Sequence, residues 1–118
     1  MYNLIWNKEL KISAMHFNTL KAFIDAVNSG KANVETEGFR MCYTASTHKY
    51  GKVLLTPEGN VAPPDMFCIY RLKNKFGLVG YFPDGKCYAI SEAKTLRDAK
   101  LAANEFLESI EAKYSSFM

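Results

Sequence analysis

Residues 95–113, TLRDAKLAANEFLESIEAK, constrain the fold more than any other stretch. Leu96, Ala99, Ala103, Phe106, Leu107 and Ile110 recur at spacings of three and four, so on a helix they form one apolar stripe. Lys94, Arg97, Lys100, Asn104, Glu108 and Glu111 fall on the wet side. Thr95 stands where an N-cap is needed, with Asp98 three residues on. A stripe of this length demands a flat apolar surface to lie on.

The preceding residues offer one. Segments 66–72, 76–82 and 86–90 read as a three-stranded meander, joined by Lys73-Asn74-Lys75 and Pro83-Asp84-Gly85. In the second joint proline sets the first turn position, Asp favours the next, and Gly accepts the positive φ of a three-residue hairpin loop. If both loops hold three residues, Tyr70 lies opposite Leu78, Cys68 opposite Gly80 and Met66 opposite Phe82. Gly80 then also faces Tyr88, and Leu78 faces Ile90. That face is the one expected under the C-terminal helix. A two-residue first loop would instead set Arg71 opposite Leu78. The other face then carries Phe67, Ile69, Val79 and Tyr81 with Arg71 and Lys73, and is too apolar to stand bare.

Upstream, residues 2–6 form a short apolar run. Asn7 and Lys8 would turn it back into 10–15, where Leu10, Ile12 and Ala14 alternate with Lys11 and Ser13. The rival reading is a helical turn over 9–15. Asn18 is placed to cap a helix over 19–28, with Leu20, Phe23, Ile24 and Val27 as its stripe and Gly30 as a left-handed stop. Residues 34–45 read as two strands hinged at Glu37-Gly38. In the second, Phe39, Met41 and Tyr43 point one way while Arg40, Cys42 and Thr44 point the other. A polar loop, 46–51, leads to a short strand at 52–56. Residues 57–65, PEGNVAPPD, hold three prolines in nine positions and should be the longest irregular loop.

The expected architecture is a single α+β domain over 1–118. It has a mostly antiparallel sheet of five to seven strands, a short N-terminal helix (about 19–28) and a long C-terminal helix (about 96–113) packed on it. At 118 residues such a domain buries roughly two thirds of its unfolded surface and needs no metal or disulfide. Cys42, Cys68 and Cys87 sit singly in apolar runs, an odd count with no CxxC spacing, as buried thiols of a reducing compartment do. The start, MYNLIWNKELK, lacks a basic segment followed by an apolar one. No apolar stretch approaches the ~20 residues of a membrane span. The expectation is a cytoplasmic protein with no cofactor and no membrane partner.

Catalytic templates are missing: there is no GxSxG, HExxH, Walker A loop or GxGxxG. His16 lies between Met15 and Phe17 and reads as a packed residue. Cys42 and His48 could flank one strand end, but a reactive thiolate needs an accessible, electropositive site, and Cys42 is set in FRMCYTA. Asp65 and Asp84 have turn roles.

Charge says more. The net is +3, but residues 38–90 carry seven basic residues against three acids, while the chain from Thr95 onward is slightly acidic. Two stretches interleave cations with rings: His48-Lys49-Tyr50-Gly51-Lys52 and Arg71-Leu72-Lys73-Asn74-Lys75-Phe76. Nucleic-acid binders combine phosphate-neutralising cations with rings that stack on unpaired bases. Lysines at hairpin tips also keep sheet edges soluble. A third candidate is the proline loop, where Val61, Pro63, Met66 and Phe67 could form a docking patch or close one end of the core.

The segment MFCIYRLKNKFGLVGYFPDGKCYAISEAKTLRDAKLAANEFLESI, with its PDG turn and Thr-Leu-Arg-Asp-Ala helix start, resembles the arm-type DNA-binding domains of phage integrases. That resemblance implies three strands followed by a helix, with the sheet face away from the helix entering a DNA major groove. On this chain that face would carry Arg71 and Lys73 beside Phe67, Ile69 and Val79, a less polar surface than DNA reading uses.

Three functional expectations follow. The first is a small non-catalytic cytosolic binding protein docking on a protein or protein–nucleic-acid complex, as an adaptor or inhibitor. Phage-type accessory and counter-defence proteins supply the analogy. The second is direct DNA or RNA binding through Arg40, His48, Lys49, Tyr50, Lys52, Arg71, Lys73 and Lys75. The third is an enzyme whose site is scattered in sequence. An exposed edge strand would equally support a homodimer.

Overall fold

The computed structural model describes residues 3–32, 38–47, 54–56, 59–61, 65–82 and 85–115. Within them an antiparallel five-stranded sheet carries one helix on each face. In chain order the elements are β1 (Asn7–Ile12), α1 (Leu20–Asn28), β2 (Phe39–Ser46), β3 (Leu54–Thr56), β4 (Gly59–Val61), β5 (Met66–Arg71), β6 (Phe76–Tyr81), β7 (Cys87–Ala93) and α2 (Leu96–Ser115). The sheet order is β1-β2-β5-β6-β7, and β3 and β4 form a separate hairpin against α2.

α2 follows its periodicity. Thr95 caps it, its hydroxyl accepting the Asp98 N–H at 3.1 Å. Ala99, Ala103 and Leu107 are buried against Phe67, Ile69 and Leu78, with Phe106 edge-on to Phe67 at 6.1 Å. Small alanines let the helix axis come close to the sheet while Leu107 and Phe106 fill the flanks.

β5 faces the other way from expectation. Its register sets Ile69 opposite Leu78, Cys68 opposite Val79 and Tyr70 opposite Gly77. Leu72 N–H donates to the Lys75 carbonyl at 2.8 Å, so the tip holds two residues, Lys73 and Asn74. Lys73 N–H donates in turn to the Phe17 carbonyl at 3.2 Å, which anchors this short tip to the loop before α1. A two-residue first loop is one of the lengths the sequence allows, but the register expected with it, Arg71 opposite Leu78, is not the one formed, and neither is the three-residue register. One residue of slip moves a whole strand to the opposite face. Tyr70 and Cys68 therefore lie under α1, while Phe67 and Ile69 lie under α2.

The next hairpin holds three residues. Phe82 N–H donates to the Lys86 carbonyl at 3.0 Å and Gly85 takes φ +83. Gly80 pairs with Tyr88, but β7 then bulges by one residue, so Leu78 meets Ser91 rather than Ile90. Ile90 packs into the α2 core, and beyond the bulge Glu92 pairs with Gly77.

α1 is capped by Thr19 rather than Asn18; the hydroxyl accepts the Ala22 N–H at 3.2 Å. Leu20, Phe23 and Ile24 are buried, joining Cys42, Cys68, Tyr70, Leu72, Val79 and Cys87. Gly77 makes the close approach, since a Cβ there would sit 2.5 Å from Leu20 Cδ1. Gly30 ends the helix at φ +74.

Two further expectations are corrected. Asn7 and Lys8 are not a turn but the first residues of β1, and no strand precedes them among described residues. The proline-rich stretch includes a strand, β4, paired with β3. The first half of the expected 34–45 pair lies outside the described residues.

Candidate functional site

The residues singled out for binding divide into two groups. His48, Lys49, Tyr50 and Lys52 lie outside the described residues. Arg40, Arg71, Lys73 and Lys75 gather at one end of the sheet, because β2 starts where the antiparallel β5 ends. β2 leaves the sheet at the opposite end, where Ser46 pairs with Met66.

The four gathered cations are not equivalent. Lys75 Nζ sits 2.7 Å from Glu92 Oε1, and Glu92 Oε2 accepts the Leu20 N–H at 2.6 Å. Glu92 thus ties the β5–β6 tip to the start of α1. That backbone bond first, and Lys75 second, hold its carboxyl below the usual carboxylate range. Lys75 is engaged in structure. The Arg71 guanidinium lies over the Phe76 ring, 4.8 Å from its centroid. Arg40 Nη1 donates to the Phe39 carbonyl at 3.0 Å. Lys73 is exposed at the tip, and Lys11 on β1 adds charge beside Arg40, with which it pairs.

The sheet face that the integrase-like reading would place in a DNA groove is covered by α1. Phe67, expected in a proline-loop patch, is fully buried under α2. Met66 of that patch is part-buried, and Pro63 lies outside the described residues.

Three buried thiols line the α1 side. Cys68 Sγ donates to Cys42 Sγ at 3.3 Å, and this bond lowers the Cys42 pKa and raises that of Cys68. Burial raises Cys87, whose Sγ donates to Asn28 Oδ1 at 3.3 Å. The Tyr70 and Tyr81 hydroxyls bond each other beside them, and burial raises both pKa values. The aromatic contacts continue outward from Tyr70 to Phe23 (4.8 Å), Phe17 (5.4 Å) and His16 (4.6 Å). This nest joins α1 to the sheet. Sealed from solvent, its sulfurs are packing groups with satisfied polar edges.

The feature not singled out from sequence is a bare corner. α2 runs over β5, β6 and β7. It reaches β2 at Tyr43, where Lys100 Nζ lies 5.2 Å from the ring centroid. Beyond Tyr43 no helix among the described residues lies over the same sheet face. Leu10 (64% exposed), Phe39 (50%) and Met41 (51%) lie there, Leu10 directly opposite Met41 on the adjacent strand. Lys8, over the Tyr43 ring, shares that face, whereas Lys11 and Arg40 pair on the opposite face, and β1 is the edge of the sheet. The alternation of Phe39, Met41 and Tyr43 marked this face in the sequence. How far α2 extends across it was not marked.

The chain matches no known protein family, no curated protein and no solved structure.

Proposed function

We propose that the protein is a small non-catalytic binding protein that docks on a protein partner through the β1–β2 corner, working as a cytosolic adaptor or inhibitor. The observation that carries this is the cluster of Leu10, Phe39 and Met41, half or more exposed and side by side at an open sheet edge. Scattered exposed apolar residues are ordinary, but a contiguous group beside unpaired backbone favours association. Lys8 and Lys100, both over the Tyr43 ring beside the cluster, favour a partner with an acidic border.

A photo-crosslinking residue placed at Met41, and a control at Lys21 on the outer side of α1, test it in cells. A nuclease-resistant protein adduct from position 41 and none from position 21 is the expected result. Equal labelling from both sites removes the docking reading. Adducts that vanish with nuclease favour the second reading, supported by the gathering of Arg40, Arg71 and Lys73 at one sheet end. In that case affinity for single-stranded nucleic acid falls steeply with salt.

A further inference from the structure

We propose that two copies of this chain pair antiparallel through β1, about a two-fold axis at Leu10, so that two five-stranded sheets continue as one. The inference rests on the docking reading, because it fills the same corner and names one occupant for it.

Backbone parity comes first. Ser13 N–H donates to the Gly38 carbonyl at 3.0 Å, in line with the β1–β2 register. Hydrogen-bonded pairs alternate along an antiparallel ladder, so Lys11, Glu9 and Asn7 also turn their polar groups toward β2. Lys8, Leu10 and Ile12 therefore turn theirs outward. A second β1 can bond only in registers that match outward groups to outward groups, which excludes every axis lying between two residues.

Axes at Asn7 and Ile12 run one member of each off-axis pair past the end of β1, and charge selects among the rest. An axis at Glu9 sets Glu9 against Glu9 of the second copy, and one at Lys11 sets lysine against lysine. One at Lys8 again apposes like charges. With the axis at Leu10, Glu9 of each copy faces Lys11 of the other, twice, and the two Leu10 side chains meet on the axis. In the single chain Lys11 Nζ is already 3.8 Å from Glu9 Oε2 on this side of the strand. The Leu10 pair lies on the side of Met41 and Phe39, so the contact covers part of the exposed apolar group. The outward groups of Lys8, Leu10 and Ile12 are all satisfied in the same register. An edge of six residues is small for a protein interface, so the dimer is a weak one that forms in the micromolar range or above.

Sedimentation of the full chain over a concentration series tests this, with E9K and K11E alone and mixed. Each variant alone apposes only like charges across the axis, and its self-association weakens by more than about tenfold. Mixed in equal amounts, the two restore opposite charges on both sides of the axis, and a dimer returns. L10C cross-links to a dimer under mild oxidation, because Cα atoms of a hydrogen-bonded pair lie about 5.5 Å apart, within disulfide reach. A wild-type chain that stays monomeric to millimolar concentration, or an E9K–K11E mixture that stays monomeric while both variants keep native circular dichroism, overturns the pairing. If the chain is monomeric and position 41 still captures another protein, the pairing falls and the docking reading stands. If the chain dimerises and position 41 captures only a second copy, the pairing stands and the other-protein reading falls.

Discussion

The β5–β7 part of the sheet is closed on both sides, β2 is closed at Cys42 and Thr44 on one side and open at Phe39 and Met41 on the other, and β1 is largely exposed on both. Over β5, β6 and β7, residues pointing either way meet a helix: Phe67, Ile69 and Leu78 meet α2, and Cys68, Tyr70 and Val79 meet the α1 core. Over β1 and β2 the alternation is similar, yet Leu10, Met41 and Phe39 point into solvent. An apolar side chain at a strand position stabilises only when something covers it. The two regions should therefore separate by experiment into a structural part and a part free for association.

Phe67→Ala gives the largest contrast. It empties space under α2 and should cost about 3–5 kcal/mol, whereas Met41→Ala should stay within about 0.5 kcal/mol of wild type in urea unfolding. A large loss at Met41 would mean that the corner is covered after all. Gly77→Ala comes next. The new methyl would collide with buried Leu20, and overpacking of this kind should cost about 1–3 kcal/mol by the same assay.

Glu92→Gln is the smallest and sharpens the account of the closed part. It weakens the link from the β5–β6 tip to α1, with an expected cost of about 1 kcal/mol at neutral pH, the typical size of a lost helix-cap bond. The sign with pH follows from the depressed pKa of Glu92. Its contribution is complete above the unfolded carboxyl value of about 4.3 and disappears as pH falls through the lower folded value. Wild type and E92Q should therefore converge in stability as the solution is acidified, read from urea midpoints across the acid range.

Particular residues show why some of this was legible in the sequence. The α2 stripe could be read because helical spacing alone selects Ala99, Ala103 and Leu107, and these are the residues buried. The Pro-Asp-Gly joint could be read because Gly85 needs a positive φ, and that sets a three-residue span. The facing of β5 could not. Lys73-Asn74-Lys75 contains neither glycine nor proline to set its length, and the bond that anchors it comes from Phe17, distant in sequence. Arg71 and Lys73 read as exposed cations. The engagement of Lys75 depends on Glu92, which reaches it only because β7 bulges before that residue. The open corner was illegible for a similar reason, since it is defined by where a helix from the far end of the chain stops.

The bond from Glu92 to the first residue of α1 spans 72 positions. A nine-residue helix is marginal by itself in water. During synthesis α1 emerges long before the carboxylate that receives its leading amide, and before the β6 glycine that lets Leu20 settle. The segment made second is thus obliged to wait for its place, and the growing chain carries Phe23 and Ile24 without Tyr70 and Val79 until β5 and β6 are made, and without the Glu92 anchor until the final quarter arrives.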